Sequence, residues 1–174
     1  YVQKNMFTPL YATLKAKYGV SDLIKNISND QIFLNYDLIK SMQLDLVDVQ
    51  EFIVNDIINY SAVSKAYTAT TMQTSYFKDG MEKTLQNGYN QKLSGDVLFT
   101  LKSGVIAYGP KGTTHGSGYT YDTHVPLLFY GNGIQKGKTF ERTYVTDIAP
   151  TISALLGIAF PSGATGSVIE KAIY

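Results

Sequence analysis

Apolar positions along the chain recur with two periods, and the pattern predicts four helices and several strands. From Pro9 to Tyr18, Leu10, Leu14 and Tyr18 return every four residues, and Gly19 follows as a stop. The clearest helical stripe runs from Leu46 to Tyr60 through Val49, Phe52, Ile53 and Ile57, with Asp45 at the N-cap position. Lys78 to Tyr89 reads as a third helix with Met81 and Leu85 on one face. A fourth starts at Thr146-Asp147, carries Pro150 in its first turn and ends at Leu156 before Gly157. Strands are expected from Gln31 to Tyr36, around Ile32-Phe33-Leu34, and from Ser64 to Thr70. Asp96 to Lys102 and Gly104 to Tyr108 read as a pair joined at Ser103-Gly104. Val125 to Tyr130 is a continuous apolar run of the kind buried on both faces of a sheet.

Between about residues 31 and 102 the order strand, helix, strand, helix, strand matches a small α+β sandwich of split βαβ, ferredoxin-like type. Residues 1–30 then read as a helix with a linker. The character changes beyond residue 102: a Gly- and Thr-rich loop from Gly109 to Tyr121 leads into the apolar run and the last helix. The expected fold class is α/β, with residues 31–102 as the accessory α+β subdomain and residues 103–174 as part of a larger α/β core.

Composition narrows the possibilities. The 174 residues are 44% hydrophobic and 17% charged, enough apolar content to bury a core. A net charge of +1 with dispersed Lys and Arg gives no basic stripe for a nucleic-acid polymer. The absence of Cys excludes disulfides, a thiol nucleophile and any Cys-based zinc site. No apolar run reaches the roughly 18–20 residues that span a membrane. Tyr1-Val2-Gln3-Lys4-Asn5-Met6 reads neither as a signal peptide nor as an initiation site. A piece of a longer chain is expected, with a processed N-terminus as the alternative.

Only two histidines exist, His115 and His124. His115 lies in Gly112-Thr113-Thr114-His115-Gly116-Ser117-Gly118, where flanking glycines let a backbone approach a charged centre. It is a metal ligand or general base, or else an exposed loop histidine with no role. His124 opens the apolar run, and there an imidazole hydrogen-bonded at a strand end, with Asp122 as a partner, is the simpler reading. Ser94, Thr68 to Thr71 and Ser117 are the hydroxyls worth testing as nucleophiles. None has strand-turn-helix context, and no G-x-S-x-G, phosphate loop, dinucleotide fingerprint or H-E-x-x-H is present. Asp45, Asp48, Glu51 and Asp56 read as a solvated helix face, and Asp147 as a helix N-cap.

Three stretches together resemble a known family: Thr114-His115-Gly116-Ser117; Tyr121-Asp122-Thr123-His124-Val125-Pro126-Leu127-Leu128-Phe129-Tyr130-Gly131; and Thr146-Asp147-Ile148-Ala149-Pro150-Thr151 with Leu155-Leu156-Gly157-Ile158 and Pro161. They resemble the C-terminal end of the alkaline phosphatase superfamily, in particular bacterial exported phosphatases related to type I phosphodiesterases and nucleotide pyrophosphatases. Gln31 to Asn35 and Ser94-Gly95-Asp96-Val97 resemble that branch too, although Leu93 stands where it has a basic residue.

The resemblance implies a zinc-dependent phosphate-ester hydrolase, a phosphomonoesterase or phosphodiesterase. Its two Zn2+ ions lie about 4 Å apart, and it works through a covalent Thr or Ser phospho-enzyme. By that resemblance His115 is a metal ligand, the last of the family's set. The nucleophile and the other ligands precede this segment in chain order, so no catalytic residue is assigned here, and His124 flanks the site without a coordinating role. The segment alone is expected to be inactive, since one histidine cannot hold zinc tightly. Small phosphate esters are the implied partners, and a periplasmic or otherwise exported location follows from the family. A sulfatase or phosphonate hydrolase on the same scaffold, or a non-enzymatic α+β binding module, are the competing readings.

Overall fold

Helix α1 (Thr8–Tyr18) forms where the four-residue spacing of Leu10 and Leu14 places it, and both side chains are fully buried. These observations come from a computed structural model that describes residues 6–106, 111–112 and 115–173. One strand absent from the apolar pattern follows α1 and pairs with the strand expected at Gln31. Strand β1 (Ile24–Ser28) and strand β2 (Gln31–Leu34) pair as an antiparallel hairpin. Its turn residues Asn29 and Asp30 sit at φ 51° and 56°, the two left-handed positions of a type I′ turn. Asn and Asp tolerate that region better than other non-glycine residues, which is why this dipeptide closes the hairpin.

The chain continues through α2 (Tyr36–Ser41), α3 (Leu46–Ile57), β3 (Val63–Thr68), α4 (Ala69–Thr74), α5 (Gly80–Gly88) and β4 (Val97–Leu101). Asp45 caps α3 as expected, its Oδ1 accepting from the amides of Val47 at 2.8 Å and Asp48 at 3.1 Å. The sheet order is β1-β2-β4-β3 and every pairing is antiparallel. The last strand in sequence therefore lies between β2 and β3, which run parallel to each other on either side of it. That is the split βαβ arrangement, extended at one edge by β1. Val49, Ile53 and Ile57 from α3 join Leu10, Leu14, Ile32, Leu34, Val63, Val97 and Phe99 in one core, and Phe7 meets Phe99 edge-on at 5.0 Å. Helix α1 and strand β1 thus share the core of residues 31–102.

The expected hairpin at Ser103-Gly104 does not form. Strand β4 spends both of its edges on β2 and β3. Residues 103 and 104 form a turn, 105 and 106 are irregular, and the rest of the expected strand lies outside the described residues. Close approach of backbones at the start of β4 explains one glycine. A Cβ on Gly95 would stand 2.8 Å from the carbonyl oxygen of Ile32 and 2.9 Å from Cβ of Gln31.

The chain divides into two compact units, Tyr1–His124 and Val125–Tyr174. The first closes with α6 (Thr120–Thr123), a single helical turn. The second is built around α7 (Ile148–Leu156), entered through a short 3-10 turn at Val145–Asp147, and around a second 3-10 turn at Glu170–Ala172. Asp147 stands at the N-cap position, but its carboxylate does not cap the helix. It accepts from the amides of Tyr144 at 2.8 Å and Ser167 at 2.9 Å, stitching three segments together. Fully buried Thr151 donates its hydroxyl to the Asp147 carbonyl and accepts from the Ile169 amide.

Val125 to Tyr130 is irregular and not a strand, contrary to the apolar pattern. Among the described residues nothing pairs with it, and Leu128 is 88% exposed. A strand is defined by its ladder, so an apolar run without a neighbour stays irregular. Tyr130, Phe140, Val145, Leu156 and Phe160 are exposed as well. This unit buries polar groups at its centre and shows large apolar side chains on its surface.

Candidate metal centre

The loop that carries His115 is held by side chains. At the end of β4, the Leu101 carbonyl accepts the Tyr119 hydroxyl at 3.0 Å, and the Gly104 amide donates to the Tyr121 hydroxyl oxygen at 3.2 Å. The two tyrosine rings stack at 5.7 Å. These contacts fix the turn α6 against the end of the sheet, and Asp122 lies on that turn. Its Oδ2 accepts from the amides of Gly116 at 2.8 Å and Ser117 at 2.6 Å, immediately beyond exposed His115.

Gly116 takes φ 121°, a conformation that a side chain strains, which is the local reason for the glycine after the histidine. Met81 on α5 leaves no room at Gly118, where an added Cβ would come within 2.2 Å of its Sδ.

The charges agree with this geometry. The Asp122 carboxyl is held below its ordinary range, chiefly by the Ser117 amide; the Gly116 amide and the charge of His115 act in the same direction, against partial burial. The Tyr121 hydroxyl is lowered mainly by the Gly104 amide that donates to it.

His115 is therefore an exposed residue on a braced loop. His124 is not the first residue of a buried strand; it is the exposed residue that ends α6, its amide bonded to the Thr120 carbonyl. Asp122, the partner expected for it, is committed to the loop amides. The candidate hydroxyls do structural work: Thr68 Oγ1 caps α4 by accepting from the Thr71 amide at 2.9 Å, and Ser94 Oγ accepts from the Asn90 amide at 3.0 Å. Asp56 accepts the Tyr60 hydroxyl at 2.6 Å along the face of α3. Two carboxylates gained a place that the sequence did not suggest. Buried Asp96 accepts the Leu34 amide at 2.8 Å and the Tyr36 hydroxyl, joining β4 to β2 and α2. Glu82 ties α5 to Lys65 and Tyr67 of β3.

A tetrahedral zinc site takes three or four donors. Among the described residues no three His, Asp or Glu side chains are grouped to hold a metal. An exposed imidazole on a braced loop fits the role of one donor to a site shared with other residues. It does not make a site alone. Among the described residues, no helix is long and apolar enough to cross a membrane.

In sequence and fold the chain belongs to the alkaline phosphatase superfamily. It is 36% identical over 171 residues to alkaline phosphatase PafA of Elizabethkingia meningoseptica, covering 98% of this chain and 31% of that protein. It is 36% identical over 143 residues to alkaline phosphatase PhoV of Synechococcus elongatus, covering 82% of this chain and 26% of PhoV. A protein of Myroides odoratus named as a calcium-transporting ATPase is also 36% identical over 162 residues, covering 92% of this chain and 30% of that protein. The crystal structure of wild-type PafA superposes with a TM-score of 0.90 at 35% identity, over 100% of this chain and 34% of that one. The chain thus spans about a third of the length of the relatives it matches. No family model matches it.

Proposed function

We propose that the chain is part of a zinc-dependent phosphate-ester hydrolase, a phosphomonoesterase or phosphodiesterase, that works through a covalent Thr or Ser phospho-enzyme. His115 contributes one ligand to its two-zinc site. The observation that carries the reading is the likeness to PafA along the whole chain, combined with exposed His115 on a loop held by Asp122. Zinc, when bound, supplies a Lewis acid for phosphoryl oxygens and a water of lowered pKa. The chain's own part is narrower. His115 offers a ring nitrogen, the Asp122 turn fixes the loop, and neither residue is the nucleophile.

In this reading residues 31–102 form the accessory α+β subdomain, with α1 and β1 of residues 1–30 packed into its core, and residues 103–174 belong to the hydrolase core. The exposed Leu128, Tyr130, Phe140 and Leu156 support it, because such side chains are what a larger α/β core buries. Small phosphate esters are the substrates, and the protein is exported.

The test is metal content and p-nitrophenyl phosphate turnover for the product of the complete gene and its His115→Ala variant. The expected result is two zincs in the wild type, with zinc and rate lost together in the variant. A variant that keeps both makes His115 a loop residue and overturns the assignment. The 174-residue chain alone is expected to show neither tight zinc binding nor turnover, because it offers too few donors.

A further inference from the structure

We propose that Asp122 is the positioning residue of the candidate ligand: by clamping the backbone just beyond His115, it sets where the imidazole stands. This rests on the reading of His115 as a metal ligand. Three observations carry it. First, one carboxylate oxygen accepts two consecutive amides, Gly116 at 2.8 Å and Ser117 at 2.6 Å. Charge-assisted bonds of this kind are about twice as strong as neutral ones. Second, Gly116 and Ser117 belong to no helix or strand, so the clamp stands in for the ladder that a loop lacks. Third, the clamp is itself grounded. Asp122 lies on α6 between Tyr119 and Tyr121 anchors that reach Leu101 and Gly104 at the end of β4. The path from sheet to imidazole is continuous: β4, the two tyrosines, Asp122, the Gly116 and Ser117 amides, His115.

A direct ligand role for Asp122 fits less well. Its Oδ2 is already occupied by two donors, and moving it would release the loop whose position a ligand histidine needs. Ligand histidines depend on such outer partners, whose loss commonly costs 10- to 100-fold in metal affinity. Here the partner acts on the backbone beside the ring.

The experiment compares Asp122→Ala, Asp122→Asn and His115→Ala with wild type by two readouts. In the 174-residue chain, amide hydrogen exchange is measured at Gly116 and Ser117, with Phe99 in β4 as an internal reference. The Asp122→Ala variant should speed exchange at the two loop amides by about tenfold or more, the effect of losing the carboxylate that accepts from both. Phe99 should be unchanged. The Asn variant keeps an acceptor oxygen and should recover part of the protection. In the product of the complete gene, zinc affinity is measured with a chromophoric chelator. The Ala variant should lose about 10- to 100-fold and the Asn variant less.

Unchanged exchange at Gly116 and Ser117 overturns the clamp. Faster exchange with unchanged zinc affinity, while His115→Ala lowers it, overturns positioning but leaves the ligand reading intact. Unchanged zinc affinity in His115→Ala overturns the ligand reading itself. An Asn variant that loses as much affinity as Ala, with its loop amides still protected, overturns positioning in favour of direct coordination. Should the Ala variant fail to fold, the Asn variant decides by the same two readouts.

Discussion

Helix α5 buries no side chain fully, and polar contacts that can be titrated tie it to the sheet. Glu82 accepts the Tyr67 hydroxyl at 2.7 Å and pairs with Lys65, both on β3. These two bonds lower its carboxyl from the ordinary 4.5 to about 2, the Lys65 bond contributing most. At about 1.4 kcal/mol per pH unit, a shift of that size corresponds to roughly 3 kcal/mol at full strength. Lys65 is 48% exposed, however, and screening by water reduces an exposed pair to ~1 kcal/mol. The folded-state value lies below the unfolded one, so the stabilisation is complete above pH 4.5 and lost as pH falls toward 2.

The perturbation is Glu82→Gln, which keeps an acceptor for Tyr67 and removes the charge. Urea denaturation of the chain at pH 7 should place the variant's midpoint lower by somewhat under 1 M, taking an m-value of about 1.5 kcal/mol/M. The gap should narrow through pH 4 to 3 and close near pH 2. It should also shrink in 1 M salt. A gap that persists at pH 2, or none at pH 7, refutes the assignment of Glu82 as the ionic tie.

Two further substitutions test the packing. Leu14→Ala removes a fully buried side chain of α1 and should cost about 3 kcal/mol, a urea midpoint shift of about 2 M. A loss under 1 kcal/mol would mean that α1 is an appendage and not part of the core it shares with α3. Gly95→Ala drives a Cβ against the Ile32 carbonyl, which accepts the Asp96 amide and cannot yield without opening the start of β4. A loss of about 2 kcal/mol is expected by thermal melting; a neutral result would show that the two backbones are farther apart.

Where one face of a long helix meets the core, its sequence announced it, whereas the six-residue helices α2 and α4 are too short to show a period. The stripe of α3, the Leu10–Leu14 spacing of α1 and the Asp45 cap all follow from contacts within a few residues, which periodicity records. Strand β1 left no such trace. Ile-Lys-Asn-Ile-Ser lies at the sheet edge with little to bury, and the two left-handed residues that make its hairpin are Asn-Asp, not Asn-Gly. The false hairpin at Ser103-Gly104 has the opposite cause. A turn dipeptide between two apolar runs is a local feature, and it could not reveal that both edges of β4 were already taken by strands from earlier in the chain.

The same distinction separates His115 from Asp122. The histidine drew attention because its neighbours are glycines and because it stands in a recognisable motif, whereas nothing in the spacing of residues 116 to 122 marks a carboxylate that reaches back over six positions to two amides. Such a clamp is written in the path of the loop, and the path is set by the tyrosines on α6 and the end of β4. The apolar run from Val125 is a third case. The pattern read correctly what those side chains require, which is burial, and read wrongly that this chain provides it: Leu128 and Tyr130 stand in solvent and their backbone has no ladder partner among the described residues. Hydrophobic periodicity reports a demand for neighbours and is silent on where they come from. In the proposed hydrolase, those neighbours and the remaining zinc ligands come from the same place, outside the 174 residues. In that reading the unmet apolar demand and the incomplete ligand set have one cause.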